Sequence, residues 1–256
     1  MKEIPESRSR LARRLPLLAL LLFAACTDPR DPQAIIDRAI ATHGGPVIDH
    51  SVIDFDQRGR HYRATRDGGA FTYERIFTDS TGAVRDVLSN DGFYREIDGQ
   101  RVDLPEERAL AFESSVNSVL YFALLPYNLN DAAVQKRYLS EAVVEGEPYH
   151  KVEVTFHQEG GGKDYQDRFV YWVHRDRSTI DYIAYDFLTD GGGSRFRKAM
   201  NPRVVEGVRF ADYLNYIADD LQQPGLLIES YDEKLEAGTL RLLSEINIEN
   251  IQVVAK

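Results

Sequence analysis

The sequence predicts a mainly β protein of the α+β class, built on a large curved antiparallel sheet or half-barrel, with an N-terminal helix and a helical insert at about residues 105–138. Apolar and polar residues alternate over much of the chain, which is the period of a half-buried strand. Clusters of Gly, Asn and Asp separate these stretches and favour hairpins. Helical spacing of apolar residues is confined to two segments, so helices form a minor part of the fold.

The chain opens with a segment typical of export. Arg8, Arg10, Arg13 and Arg14 precede the apolar run Leu15–Ala25. A basic stretch followed by a short apolar run and small residues is the pattern of a secretory signal peptide. The run is shorter than the roughly 20 apolar residues that cross a bilayer. We therefore expect residues 1–25 to be a signal peptide that is removed.

Cys26, the single cysteine of the chain, follows this run directly. The segment Leu22–Cys26 resembles the lipobox of bacterial lipoproteins, in which the cysteine becomes the acylated first residue. The resemblance implies that the partner of Cys26 is a lipid membrane. Because Thr27 rather than aspartate follows, it also implies an outer-membrane lipoprotein, which we expect to face the periplasm. The alternative is an ordinary signal peptide that leaves Cys26 as a free thiol.

Residues 26–31 are expected to be a short tether, and residues 32–256 a single β domain. The first element of this domain is a helix with Asp31 as N-cap and Pro32 at its first position, ending at Gly44-Gly45. His43 lies in the last turn, where a partly protonated imidazole would suit the helix dipole. The apolar stripe of this helix consists of Ile35, Ile36, Ala39 and Ile40.

Alternating apolar residues from Val47 to Ile97 predict a meander of antiparallel strands joined by tight turns. A helix is then expected from Pro105 to Leu125, and a second, short one within 128–138. This insert either covers one side of the sheet or acts as a mobile lid over a cavity. The sequence leaves the two alternatives open.

The strands after the insert are rich in aromatic residues. Phe169–His174 carries large apolar side chains on both faces, with Trp172 among them. Such a strand is covered by protein on both sides, or one side lines an enclosed apolar space in which Trp172 would contact a ligand. With Leu242–Val254 as the last strand, the sequence predicts one continuous sheet of about nine to eleven strands.

Charged, glycine-rich loops near residues 160–164 and 190–195 are expected at one end of this sheet. Arg195 and Arg197 share a strand face and could bind a carboxylate or phosphate headgroup, with His157 as a polar partner. The alternative is that these are solvated hairpin ends whose arginines pair with acidic residues. The candidate ligand-binding residues are therefore His157, Asp164, Trp172, Asp190, Arg195 and Arg197.

The formal net charge of −10 disfavours nucleic acid as a partner, because phosphates favour clustered Lys and Arg. It also disfavours broad adhesion to anionic lipid headgroups. The sequence carries none of the motifs typical of hydrolases, nucleotide-binding proteins or metal sites. We therefore assign no catalytic residue, no metal and no cofactor, and we expect a monomer.

Three stretches resemble proteins of the lipoprotein-carrier (Lol-type) fold. They are the helix Ile35–Gly45 with its Gly-Gly end and the hairpins Glu145–Val154 and Val205–Phe210. The full pattern, which includes His61–Gly69 and Ser89–Phe93, resembles an uncharacterised family of exported bacterial lipoproteins. The resemblance implies a concave sheet that accommodates lipid.

Three functions are compatible with these observations. The favoured one is a non-catalytic, membrane-anchored lipoprotein that holds a lipid or another hydrophobic ligand in its concave sheet. A structural or glycan-contacting envelope lipoprotein could instead use its tyrosine-rich strands as platforms. An envelope hydrolase would take its acid and base from Asp164, His157 or Asp190. An apolar cavity large enough for an acyl chain would distinguish the first function from the others.

Overall fold

The computed structural model describes residues 28–160, 165–188, 191–220 and 227–256. Within them the chain forms two seven-stranded antiparallel sheets, neither of which closes on itself. Sheet one contains, in spatial order, β14 (Glu249–Ala255), β1 (Ser51–Gln57), β2 (Arg60–Asp67), β3 (Ala70–Asp79), β4 (Gly82–Ser89), β5 (Gly92–Ile97) and β6 (Gln100–Val102). Sheet two contains β13 (Arg241–Ile246), β12 (Val208–Ile217), β11 (Gly193–Val205), β10 (Ile180–Phe187), β9 (Arg168–His174), β8 (Glu147–Phe156) and β7 (Val134–Val144). The predicted mainly β class, with an N-terminal helix and a helical insert, is confirmed.

The division into two sheets differs from the single sheet of about nine to eleven strands that the sequence predicted. The C-terminal segment illustrates the difference, because residues 242–254 form parts of two strands instead of one. β13 pairs with β12 in sheet two, whereas β14 pairs with β1 in sheet one. Between them, the backbone N–H of Ile248 donates to the carboxylate of Asp212 at 3.0 Å. A single side chain on β12 therefore stabilises the crossover between the sheets.

Helix α1 (Pro32–Thr42) begins as predicted, since the Asp31 carboxylate accepts the Gln33 N–H at 3.1 Å. The helix ends before Gly44, which has a φ of 87° and precedes the short helix α2 (Gly45–Ile48). A Cβ atom at Gly44 would lie 2.3 Å from the carbonyl oxygen of Gly207. Glycine is thus required at position 44, where the chain passes closely over the turn between β11 and β12.

His43 is a buried, neutral side chain rather than a charged helix cap. It is 3% exposed, and its Nε2 accepts the backbone N–H of Ile180 at 3.2 Å. Burial, and secondarily the Arg209 guanidinium, lowers the pKa of His43 to about 4. The expectation of a partly protonated imidazole is therefore wrong, because the ring is enclosed by sheet two instead of facing solvent.

The insert is shorter than the predicted range of 105–138. Helix α3 (Glu106–Ala123) is followed by a 3-10 turn at Tyr127–Asn130, and β7 begins at Val134. The expected second helix is therefore only this turn, and residues 134–138 belong to a strand. Val134 and Tyr138 lie in β7 and pack against the core of sheet two, and this burial favours a strand over a helix in this segment.

Helix α3 lies between the two sheets, and we call the sheet faces that turn toward it the inner faces. Val116, Leu120 and Leu124 pack into the core of sheet one. Tyr121 and Phe122 pack against the core of sheet two. Because residues three and four apart share a helix face, these sets form two separate stripes. The helix thus fills part of the space that the two sheets enclose.

Sheet one also carries a buried charge cluster under α3. The Asp86 carboxylate, 0% exposed, accepts hydrogen bonds from Arg75 and Arg95 at 2.6 Å each. Arg75 donates further to the Ser115 hydroxyl at 2.7 Å, and the Arg95 guanidinium lies 3.6 Å from the Phe112 ring centroid. Two guanidinium groups and one carboxylate thereby connect the inner face of sheet one to α3.

Candidate functional site

A cleft of about 600 Å³ lies between the sheets on one side of α3. Sheet one contributes Phe71 and Leu88, α3 contributes Tyr121, and sheet two contributes Val134 and Phe156. These side chains form the apolar part of the wall, and polar groups form about as large a part. Its polar groups are Ser89, Asn90, Glu113, Ser114, Asn117, Asn128 and Asp131. The volume falls within the range of about 300–1,000 Å³ that is usual for ligand pockets.

The polar groups of this cleft give it an acidic character, and we call it the acidic cleft. The residues described as lining it include the carboxyl groups of Glu113 and Asp131 and no lysine or arginine. Burial raises the pKa of Asp131, while the nearby Arg66 opposes that rise. The hydroxyl of Tyr121 lies 3.1 Å from that of Tyr171, so the aromatic wall is fixed by a hydrogen bond behind it. Such a site suits an apolar ligand body with a neutral or cationic polar part.

A second, smaller cavity of about 180 Å³ lies on the other side of α3. Ser118, Val119, Phe122 and Ala123 of α3 form one wall. The opposite wall comes from sheet two, the β13–β14 crossover and the β1–β2 turn: Gln57, Arg58, Arg197, Ala211, Tyr213, Ile246 and Ile248. We call this cavity the Arg197 pocket. It contains two arginines and no carboxylate, so the two sides of α3 are opposite in charge.

Arg197 lines the smaller cavity and is held by contacts with two aromatic side chains. Its guanidinium lies 3.5 Å from the ring centroid of Phe122, and Nη2 donates to the Tyr185 hydroxyl at 3.0 Å. Arg195, two positions along the strand, stacks over Phe187 at 5.1 Å and donates to the Ser194 carbonyl. The alternation of β11 puts both arginines on the inner face of sheet two. Only Arg197 reaches the described pocket.

His157 lies apart from the arginines. It is exposed just after the end of β8, and its ring nitrogens lie 2.8 Å from the Gln135 amide. Its backbone N–H donates to the Ala133 carbonyl at 2.8 Å. Ala133 lines the acidic cleft, so His157 is placed near the rim of that cleft. Three of the predicted residues, Cys26, Asp164 and Asp190, lie outside the described residues.

Trp172 is a core residue that contacts protein on all sides. It is 0% exposed, and its indole N–H donates to Asp232 of α4 (Tyr231–Glu236) at 3.1 Å. Asp232 also forms an ion pair with Lys151 at 2.9 Å. The outer face of sheet two is thus covered by α4, while α1 and the end of α3 cover its inner face. The strands that are apolar on both faces are therefore covered by helices on both sides around Trp172.

The lining of the acidic cleft was missed by sequence reasoning. Glu113, Asn117 and Tyr121 are spaced four residues apart and form a polar to aromatic stripe along α3. That stripe is the one signal that the sequence offered, and such stripes are usually solvated helix faces. The other lining residues come from strand ends and turns that are distant in sequence.

Two further searches of the described residues return nothing. They contain no group of three or more His, Cys, Asp and Glu side chains arranged to hold a metal ion. None of their helices combines the length and the apolar character needed to cross a membrane.

Comparison with solved structures finds several that are similar in fold. A LolA superfamily protein of Nitrosomonas europaea is 12% identical, with a TM-score of 0.49, 87% of this chain covered and 91% of that one. A DUF1329 family protein of Desulfovibrio piger is 13% identical, with a TM-score of 0.43 and coverages of 88% and 93%. An outer membrane lipoprotein-sorting protein domain of Vibrio parahaemolyticus, described as putative, is 10% identical, with a TM-score of 0.43 and coverages of 81% and 99%.

Comparison with curated proteins finds no match. A family model, described as a family of unknown function, matches residues 13–248. This match extends over most of the chain and confirms the resemblance to an uncharacterised family. The chain therefore belongs to DUF6503, a family of unknown function.

Proposed function

We propose that this protein is an outer-membrane lipoprotein, anchored through an acylated Cys26, that binds a lipid or another hydrophobic molecule in the acidic cleft. The observation that carries the proposal is the cleft itself, with aromatic and aliphatic walls from both sheets and from α3. Its volume of about 600 Å³ is sufficient for a single acyl chain or a compact amphiphile. Burial of such a ligand would be driven by the hydrophobic effect.

The segment before α1 would keep the folded body close to a membrane anchor. The side-chain amide of Gln33 in α1 donates to Asn130 at 2.8 Å, and Asp131 next to it lines the cleft. At most about 24 Å of extended chain separates Cys26 from Gln33. Arg30 in the tether lies 3.6 Å from Glu141 of β7, so this segment follows the edge of sheet two. Glu141 lies seven positions along β7 from Val134 of the cleft, so the tether leads away from the cleft and would hold the body of the protein, rather than the rim of the cleft, near a membrane at Cys26.

The tyrosine-rich strands offer little support for a glycan-contacting platform. Tyr149, Tyr171 and Tyr182 are at most 4% exposed. Burial raises the pKa of each of these hydroxyls, and each hydroxyl bonds to another protein group. Rings that lie inside the protein present no flat face to a sugar.

The proposal is tested by extracting lipid from the full protein, purified from membranes, with organic solvent and analysing the extract by mass spectrometry. The acyl chains on Cys26 stay with the polypeptide, so the extract reports the non-covalent ligand. Asn117→Trp should narrow the acidic cleft and reduce the retained lipid several-fold. Ala111→Trp, an exposed position on the same helix that lines neither cavity, should retain the wild-type amount. Equal lipid content in both variants, or none in the wild type, would contradict the proposal.

A further inference from the structure

The Arg197 pocket contains a cation that the protein itself does not neutralise. Arg197 is 9% exposed, and no carboxylate of the described residues lies within ion-pair distance of it. Its Nε is buried without a hydrogen-bond partner, and Nη2 is satisfied only by the neutral Tyr185 hydroxyl. Burying a charge without a counter-charge is costly, which makes a buried, unpaired guanidinium in a cavity a candidate binding group.

Other buried cations of this protein differ in that respect. Arg75 and Arg95 share the Asp86 carboxylate, and Lys151 pairs with Asp232 at 2.9 Å. Each of these groups is satisfied inside the fold. Arg66 shares part of the Arg197 pattern, because its buried Nε has no partner and Nη1 donates to the Tyr73 hydroxyl at 2.7 Å, but Arg66 lines neither the acidic cleft nor the Arg197 pocket. Arg197 is distinguished by having this environment at the wall of a cavity.

The rest of the pocket specifies the shape of the counter-ion. Val119, Phe122, Ala123, Ile246 and Ile248 form apolar walls, and Phe122 stacks on the guanidinium plane. A group that enters therefore carries an apolar body as well as a negative charge. The volume of about 180 Å³ is what about six water molecules occupy in liquid water. It suits a small molecule or the polar end of a longer one.

We propose that the Arg197 pocket binds the carboxylate of a monoanionic aliphatic acid, with the guanidinium of Arg197 as the anion-binding group and the α3 and β13–β14 residues around its apolar body. Arg197 is the buried cation of the pocket, whereas Arg58 is exposed, and the small volume with apolar walls favours a carboxylate on an aliphatic body over a phosphate monoester, which carries close to two negative charges at neutral pH. This site is separate from the acidic cleft, because α3 lies between them, and the proposal does not depend on the ligand proposed there.

Binding is measured on the full protein by isothermal titration and by the change in melting temperature, with hexanoate as the probe. Hexan-1-ol and hexylammonium have the same apolar body without the negative charge. Hexanoate should bind and raise the melting temperature, whereas the other two should not. Arg197→Met should weaken hexanoate binding about tenfold or more, because a charge-assisted contact is lost. Arg195→Met, two positions along the same strand face, should leave it unchanged.

A second pair of variants keeps the test independent of the stability of Arg197→Met. Ser118→Trp should fill the Arg197 pocket and abolish hexanoate binding, while its neighbour Asn117→Trp should leave that binding intact and affect only lipid in the acidic cleft. Hexanoate affinity that survives both Arg197→Met and Ser118→Trp would overturn the proposal, as would equal binding of hexan-1-ol. Loss of lipid retention in Asn117→Trp tests the acidic cleft, so the two proposals fail separately.

Discussion

At the scale of single residues, His43 couples the stability of the fold to pH. Its pKa is about 4 in the folded protein against an ordinary value of 6.5. Between these values the unfolded chain binds a proton that the folded chain does not, so protonation favours unfolding. The stability that His43 contributes is complete above pH 6.5 and is lost as the pH falls toward 4. The difference corresponds to about 3 kcal/mol.

We therefore expect the free energy of unfolding of the wild type to fall more steeply from pH 7 to pH 4 than that of His43→Gln, by up to about 3 kcal/mol over the range. Urea denaturation at a series of pH values measures this. Ala111→Gln, at an exposed position without a titratable group, provides the control and should keep the wild-type slope. Parallel curves for wild type and His43→Gln would show that the imidazole is not held neutral.

Asp86 is the residue on which the charge cluster of sheet one depends. Asp86→Asn would leave two buried guanidinium groups without a counter-charge, and it should lower the free energy of unfolding by about 3–5 kcal/mol. On the opposite face of the sheet, Glu96 pairs with the half-exposed Arg85 at 2.9 Å. Glu96→Gln should cost no more than about 1 kcal/mol. If urea denaturation showed similar losses of unfolding free energy for Asp86→Asn and Glu96→Gln, the role given to Asp86 would be contradicted.

At the scale of elements, α3 stabilises the arrangement of the two sheets. Leu120 is 0% exposed within the core of sheet one, whereas Leu110 on the same helix is 37% exposed. Leu120→Ala should lower the free energy of unfolding by about 2–5 kcal/mol through lost burial and the cavity that remains. Leu110→Ala should cost less than about 1 kcal/mol. Equal costs would mean that α3 packs loosely on sheet one.

Elements that depend on neighbouring residues were predictable from the sequence. The N-cap at Asp31, the Gly44-Gly45 end of α1 and the hairpins of the first meander all follow from local rules. Trp172 and the strand around it were recognised as apolar on both sides, but the sequence did not decide what covers them. Helix α4, which covers the outer face, lies 60 residues away from Trp172 in the chain.

Sites that depend on distant contacts were predictable only in part. The spacing of Arg195 and Arg197 put both on one strand face, which the structure also shows. The stacking of Arg197 on Phe122 involves residues of two elements 75 positions apart in sequence, and no local pattern encodes it. The pairing of β14 with β1 is likewise non-local. Turn chemistry specifies hairpins, but long-range packing decides how strands divide between sheets.

At the scale of the whole molecule, the proposal joins an anchor to a binding site. If Cys26 is acylated, Cys26→Ser should move the protein from the membrane fraction to the soluble periplasmic fraction of the cell. The mass of the mature wild-type chain should correspond to a start at Cys26 with attached acyl chains. A mature chain with a free thiol at Cys26, or unchanged membrane association of Cys26→Ser, would contradict lipid anchoring.

The charge difference across α3 gives the molecule two distinct internal environments. Glu113 and Asp131 line one side, and Arg58 and Arg197 line the other. A ligand with an apolar body and a neutral or cationic polar part is expected in the acidic cleft, and a small carboxylate in the Arg197 pocket. Helix α3 separates the two sites, while the charged groups that distinguish them come mostly from other elements.

The central claim, that a hydrophobic molecule lies between the sheets beside α3, is tested most directly by photocrosslinking. A diazirine amino acid replaces Asn117, which lines the cleft, or Ala111, which is likewise exposed but lines neither cavity, and the protein is irradiated in its native membranes. Mass spectrometry of the α3 peptide then identifies any adduct. Our account predicts a lipid adduct at position 117 and little or none at position 111. The absence of an adduct at 117, or equal yields at both positions, would contradict it.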